Sequence, residues 1–223
     1  MKIIIFTAIL FLSIKISAQL NGDVGYSLAY VNAAKTNALI DYYNAKGTNK
    51  LKDMKPLHLL DGFNIGAAYR MGLWKAAIYW ENLSSALSSV EGDIDQNRGL
   101  ERKLYFYMNS LSGAVEFQYS HIGFGVSAGY NYFSIKTAID GTESKIALHK
   151  ENFYSSKIYL IFYARGSDIL GVALKPYVRL PWSESSVDAV HDFLQIDKPF
   201  NTKEKFIQFG ITFTISNGPQ PDY

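Results

Sequence analysis

Short and long connections alternate without exception along this chain, and that alternation limits its fold more than any other feature. Between residues 24 and 215, apolar and polar residues alternate at period 2 in segment after segment, the pattern of strands with two unlike faces. Eight strands can be read, over residues 23–32, 61–71, 74–86, 104–120, 122–135, 153–165, 171–182 and 205–215. The second and third meet at Arg70-Met71-Gly72-Leu73, the fourth and fifth around Ser120-His121, and the sixth and seventh at Gly166-Ser167-Asp168-Ile169-Leu170. These are hairpin lengths. The other connections, 33–60, 87–103, 136–152 and 183–204, are long and polar, and no long helical pattern is visible in them. In an up-and-down antiparallel sheet every long loop then falls at one end and both termini at the other. Short turns on one side, long loops on the other and an even strand number describe an all-β transmembrane barrel of 8 strands, or of 10 if the first or last long loop hides a hairpin.

The faces indicate which side meets lipid. Phe63, Ile65, Ala67 and Tyr69 oppose Asn64, Gly66, Ala68 and Arg70, and Ile122, Phe124, Val126, Ala128 and Tyr130 oppose Gly123, Gly125, Ser127, Gly129 and Asn131. A soluble barrel would show Lys, Glu and Thr to water. Here the polar face is made of Gly, Ala, Ser, Asn and Tyr with sparse charge, which suits a narrow lumen. Trp74, Tyr119, Trp182 and Phe133 lie near strand ends, as an aromatic girdle would. Pro176 removes a ladder donor from the seventh strand, so a bulge or a local gap is expected there.

Residues 1–18 have the layout of a secretory signal peptide: a basic start at Lys2, an apolar stretch, and small residues Ser17-Ala18 before Gln19. The barrel then occupies 19–223, with four long extracellular loops and a short tail after the last strand. Removing Lys2 and Lys15 from 22 basic residues leaves 20 against 20 acidic ones, so nothing suggests a nucleic-acid partner. The absence of Cys excludes disulfides, thiolate metal sites and a lipid anchor at the cleavage site.

The leader ending Ser17-Ala18-Gln19, the Gly-aromatic strands and the last strand Phe209-Gly210-Ile211-Thr212-Phe213-Thr214-Ile215 resemble small outer-membrane β-barrel proteins of Bacteroidetes type, porin-like in pattern. The resemblance is one of architecture and implies no catalytic motif. It implies a location in the cell outer membrane, with outer-membrane lipid, lipopolysaccharide and the barrel-assembly machinery as partners. Gln208, Gly210, Phe213 and Ile215 match the positions of the assembly signal, although Ser216 to Tyr223 run on past the place where that pattern ends.

Motifs for chemistry are few. Gly123-Phe124-Gly125-Val126-Ser127-Ala128 mimics a dinucleotide fingerprint but keeps alternating where a helix is needed. Asp93 to Asn97 has calcium-loop spacing without the closing Glu. His58, His121, His149 and His191 are not paired at metal-ligand spacing, and no Gly-x-Ser-x-Gly elbow supports a hydrolase on the rim. No cofactor, metal or catalytic residue is expected. By parity Arg70, Lys75, Glu81, Glu116, Lys157, Arg165, Lys175 and Arg179 face inward, six cations against two acids. They read as a plug of ion pairs in a lumen wide enough only for side chains, or as a narrow anion-favouring path. Tyr42-Tyr43, the Lys-rich stretch 46–55 and the acidic-aromatic stretch 188–200 could form a binding surface for an unknown ligand. The expected role is structural or surface-binding, with a small pore, a component of an envelope export or assembly machine, or a rim enzyme acting on lipid as alternatives.

Overall fold

The computed structural model describes residues 20–46, 50–93, 98–139, 145–167 and 170–217. The leader and the tail beyond 217 lie outside these, as does most of the calcium-like loop.

Eight long strands form the wall: β1 (Leu20–Asn32), β2 (Leu59–Met71), β3 (Trp74–Asp93), β4 (Arg98–Tyr119), β5 (Ile122–Ile139), β6 (Ile146–Arg165), β7 (Leu170–Pro181) and β8 (Ile207–Asn217). Each pairs antiparallel with its sequence neighbour. β1 pairs with β8 from Gly22↔Asn217 to Asn32↔Ile207, which closes the barrel. The order is up-and-down throughout, with eight strands. Gly72, in the left-handed region at φ 59°, turns β2 into β3. The β6–β7 register runs to Tyr159↔Tyr177 and resumes at Phe162↔Leu174. Pro176 has no N–H to give, so a gap in the ladder stands there and no bulge is needed.

Two of the four long loops are largely strand. β3 and β4 stay paired up to Asp93↔Arg98, and β5 and β6 as far as Thr137↔Ile146, so the described parts of 87–103 and 136–152 extend the wall. The first loop carries helix α1 (Ala34–Lys46) and a three-residue strand, Lys50–Lys52, on the edge of β3. The last carries a two-residue hairpin, Ser185–Ser186 with Lys203–Glu204, around helix α2 (Asp188–Phe193).

Over the lower part of the wall the outer face is apolar and the inner face polar. Val24, Phe63, Ile78, Leu111, Ile122 and Phe124 are each more than half exposed on the outside. Asn21, Asp23, Ser27, Asn131, Thr212 and Thr214 are buried within. The apolar belt covers 111–119 on β4, 122–130 on β5 and 154–162 on β6, nine residues each. A tilted strand needs roughly 9–11 residues to cross a bilayer. Aromatic contacts border the belt on both sides: Trp74 with Phe117 at 5.0 Å below, and Tyr154 with Tyr130 at 5.5 Å and with Trp182 at 5.7 Å above. Phe133 is not part of this border. It lies on the inward register of β5 and is buried against Phe206 at 4.9 Å.

Above the belt the two faces exchange character. Leu83, Leu104, Phe106, Met108, Ile135 and Phe153 point inward and are buried, while Asn82 and Asn109 bond each other on the outside at 2.7 Å. Leu39, Ile40 and Tyr43 of α1 and Val187, Val190, Leu194 and Ile196 around α2 complete this apolar core. It sits across the loop end of the lumen as a cap.

Candidate functional site: a charged lumen beneath an apolar cap

Three interior tyrosines owe their positions to glycines on the adjoining strand. Tyr79 is the register partner of Gly66, Tyr159 of Gly125 and Tyr177 of Gly210. A side chain on any of these glycines would fall on the partner's ring. The rings therefore lie flat along the wall, where Tyr79 and Tyr159 turn their hydroxyls to the interior carboxylates and Tyr177 offers its ring face to Lys157.

Those charges gather at two levels. At the lower, Lys75 Nζ lies 2.5 Å from Asp23 Oδ2 and 3.7 Å from Glu116 Oε2, and Lys175 Nζ lies 2.7 Å from Glu116 Oε1. The Tyr79 hydroxyl is 2.6 Å from Asp23 Oδ2 and 3.0 Å from Glu116 Oε1, and Tyr159 donates to Glu116 at 2.9 Å. At the upper level Glu81 pairs with Arg179, takes a bond from Lys157 at 3.1 Å and accepts the Ser27 hydroxyl at 2.9 Å. Arg179 also donates to Gln208 Oε1 at 3.1 Å, and Lys157 Nζ stands 4.0 Å over the Tyr177 ring. Each carboxylate is thus held by cations and hydrogen-bond donors, as buried charge requires. Between the levels is a cavity of about 40 Å³ lined by Tyr79, Glu81, Lys157, Tyr159, Lys175 and Tyr177. That is space for a few waters.

Arg70 is buried beside the short turns and donates to Gln118 Oε1 at 3.1 Å, away from both carboxylate clusters. Arg165, the last residue of β6, is exposed at the rim. Asp23 is a third interior carboxylate that the reading by parity left out. Its signal was its place in alternation with Asn21 and Ser27. The six-to-two excess of cations therefore shrinks. Gln208 and Gly210 face inward, against Arg179 and Tyr177, while Phe213 and Ile215 lie on the lipid-like outer face.

The stretches expected to form a binding surface are partly consumed by the cap. Tyr43 is buried and donates to Glu91, and burial together with that carboxylate pushes its hydroxyl up to about 12. Glu204 accepts the Lys35 and Thr36 amides at 2.6 and 3.0 Å, so the last loop satisfies the start of α1. Ser186 donates to Asp188 and not to an imidazole, while His191 contacts Asp192 at 3.2 Å.

An exposed latch joins the two loops. Asp197 pairs with Lys46 at 2.9 Å and accepts the Tyr42 hydroxyl at 2.7 Å, and these donors hold its carboxyl at about 2, below the ordinary 3.8. A depressed carboxyl adds stability above its unfolded pKa and loses it as pH falls through the folded one. Hydrogen-exchange protection of the α1 amides should therefore drop between about pH 4 and about pH 2, and Asp197→Asn should flatten that drop. Equal profiles for the two proteins would show that the latch holds nothing.

No known family model matches the sequence, and no curated protein does. Among solved structures, the chain is similar to Ail, the attachment invasion locus protein of Yersinia pestis, solved with the heparin analogue sucrose octasulfate. That match has 9% identity and a TM-score of 0.47, over 90% of this chain and 97% of that one. It is similar to Neisserial surface protein A at 8% identity and a TM-score of 0.46, over 89% and 96%. It is also similar to the translocator domain of the autotransporter NalP from Neisseria meningitidis, at 8% and 0.41, over 98% and 94%. At these identities the likeness concerns the fold and nothing finer.

Proposed function

We propose that this chain is an outer-membrane β-barrel with a plugged lumen, exported by a signal peptide at residues 1–18, whose capped loop end serves a structural or surface-binding role outside the cell. The observation that carries this reading is the exposure of the belt. Phe63, Ile65, Ile78, Leu111, Phe124 and Ile158 stand outward on a closed wall whose interior is charged. Such a surface needs a hydrocarbon neighbour, and the nine-residue crossings match the thickness of one. The paired carboxylates, the small cavity and the apolar cap favour a closed lumen over the alternative of an anion path. Gln208, Gly210, Phe213 and Ile215 remain our candidates for the assembly signal.

A membrane fraction run on a gel with and without boiling tests the barrel. A folded form that migrates differently from the boiled one is expected in the outer-membrane fraction. Soluble protein without such a shift would overturn the reading. Planar-bilayer recording of the refolded protein should show no discrete conductance steps. Steady unitary steps would replace the plug with a pore.

A further inference from the structure

A shallow groove of about 730 Å³ lies on the apolar belt between two neighbouring rows of cross-strand partners. The lower row contains Leu28↔Ile211, Ile211↔Pro176 and Leu160↔Phe124, and the upper row runs Leu59↔Tyr30, Tyr30↔Phe209, Phe209↔Val178 and Val178↔Ile158. Four strand spacings of ~4.8 Å give the upper row a length of ~19 Å. Because hydrogen-bonded rows lie across tilted strands, the groove slants downward from Leu59, the first residue of β2 at the loop end. Phe124, near a short turn, lines its far end. A single leaflet is half of a ~30 Å hydrocarbon core, so a slanted ~19 Å groove has the reach of one acyl chain. Pro176, where the ladder is interrupted, forms part of its floor.

At the upper end of this groove, Leu59 also lines a second pocket, of about 340 Å³, with Lys52, Lys55, His58, Ser85 and Ser88. Among the described residues that line it, none is acidic. Lys52 Nζ lies 3.4 Å from Ser88 Oγ, so ammonium and hydroxyl donors face one space. His58 stacks on Tyr30 with ring centroids 5.6 Å apart, which sets the imidazole directly over the top of the groove. Donors and cations thus meet the outer edge of the belt where the apolar groove begins.

We propose that this composite site holds a phosphorylated glycolipid of the surrounding leaflet, with its phosphate among Lys52, Lys55 and His58 and one acyl chain along the row from Leu59 to Ile158. The inference rests on the membrane reading above and adds to it a place on the wall and a mode of binding. Phosphate suits this pocket because it accepts several bonds from ammonium and hydroxyl donors at once. The shared Leu59 joins head pocket and tail groove into the outline of one amphiphile.

Native mass spectrometry of the refolded barrel in detergent, with lipid A as probe, tests this. Lipid A should be retained, and the same lipid stripped of phosphate should not. Lys52→Ala/Lys55→Ala should weaken retention roughly 30-fold, from the loss of two lysines near the headgroup plane. Val178→Trp, which fills the groove and leaves the head pocket intact, should also weaken it. Equal retention of the two lipids, or no change in the lysine variant, would overturn the proposal. Displacement by inorganic phosphate at the lipid's own concentration would reduce the site to a free-anion pocket and overturn it too. The gel shift on boiling is read for every sample. A variant that lacks the shift is unfolded, and Lys52→Gln/Lys55→Gln then replaces the alanine pair with the same expected loss. A wild type without the shift takes down the membrane reading as well, whereas a folded wild type that retains no lipid sinks this inference alone.

Discussion

Glu81→Ala is expected to destabilise the barrel by about 3–5 kcal/mol, the range for removing one partner of a buried ion pair. Glu81 is buried and is the carboxylate that Arg179 and Lys157 share. Without it two cations remain beside Met108, Ser27 and the Tyr177 ring. Glu116 and Asp23 cannot take over, because Lys75 and Lys175 already occupy them. Water entering the neighbouring cavity would place the loss at the lower end of that range. Lys157→Met should cost less, since Arg179 still neutralises Glu81. Urea unfolding of the protein refolded into vesicles measures both, with Trp74, Trp80 and Trp182 as probes because all three stand on the outer face. An unchanged midpoint for Glu81→Ala would mean that these charges are hydrated and contribute nothing as a plug.

The second large effect comes from a residue with no side chain. Gly125→Val should drive the Tyr159 ring off the wall and break its bond to Glu116. Overpacking of this kind costs about 1–3 kcal/mol. A buried hydrogen bond to a charged group adds about 1.5–3 kcal/mol. Tyr159→Phe should show the second loss alone. In the pair Gly125→Val/Tyr159→Ala the ring is already gone, so the valine should cost little more than Tyr159→Ala by itself. Strictly additive losses across this double-mutant cycle would refute the contact.

Most of the wall was legible because alternation within the belt is strong. Phe124, Val126, Ala128 and Tyr130 read outward and Asn131 and Ser127 inward, and the burial pattern agrees. The three short turns stood out for the same reason. The upper wall did not, because the faces exchange there. Residues 98–103 carry Arg98, Glu101, Arg102 and Lys103 and read as a solvated loop, yet their backbones remain paired with β3. What holds that hairpin is inward Leu104, Phe106 and Met108, which meet residues distant in sequence. Helix α1 was hidden for a related reason. Its buried side is only Thr36, Leu39, Ile40 and Tyr43, one of them polar, and the partners that make such a narrow stripe sufficient come from β3, β4 and the last loop. The arrangement of the interior charges was partly legible. Parity places Glu81, Lys157 and Arg179 on one side of the wall, but it cannot say that Lys75 leans toward Asp23, because that depends on where β1 begins.

The pairing of β1 with β8 stands apart from the other contacts between the eight wall strands. All the remaining neighbours among the eight wall strands are consecutive and can form as hairpins while the chain folds locally. The seam joins Gly22 to Asn217 and Asn32 to Ile207, and no hairpin prepares it. Ordering a contact between segments so far apart is entropically slow, and it is rewarded only when both strands are in place. Folding of this barrel should therefore be governed by a late clasp. Until the clasp shuts, an open sheet exposes two unpaired edges. The eleven residues of β8 thus determine when those edges disappear, and substitutions along the seam should act on the rate of assembly before they act on the stability of the finished barrel.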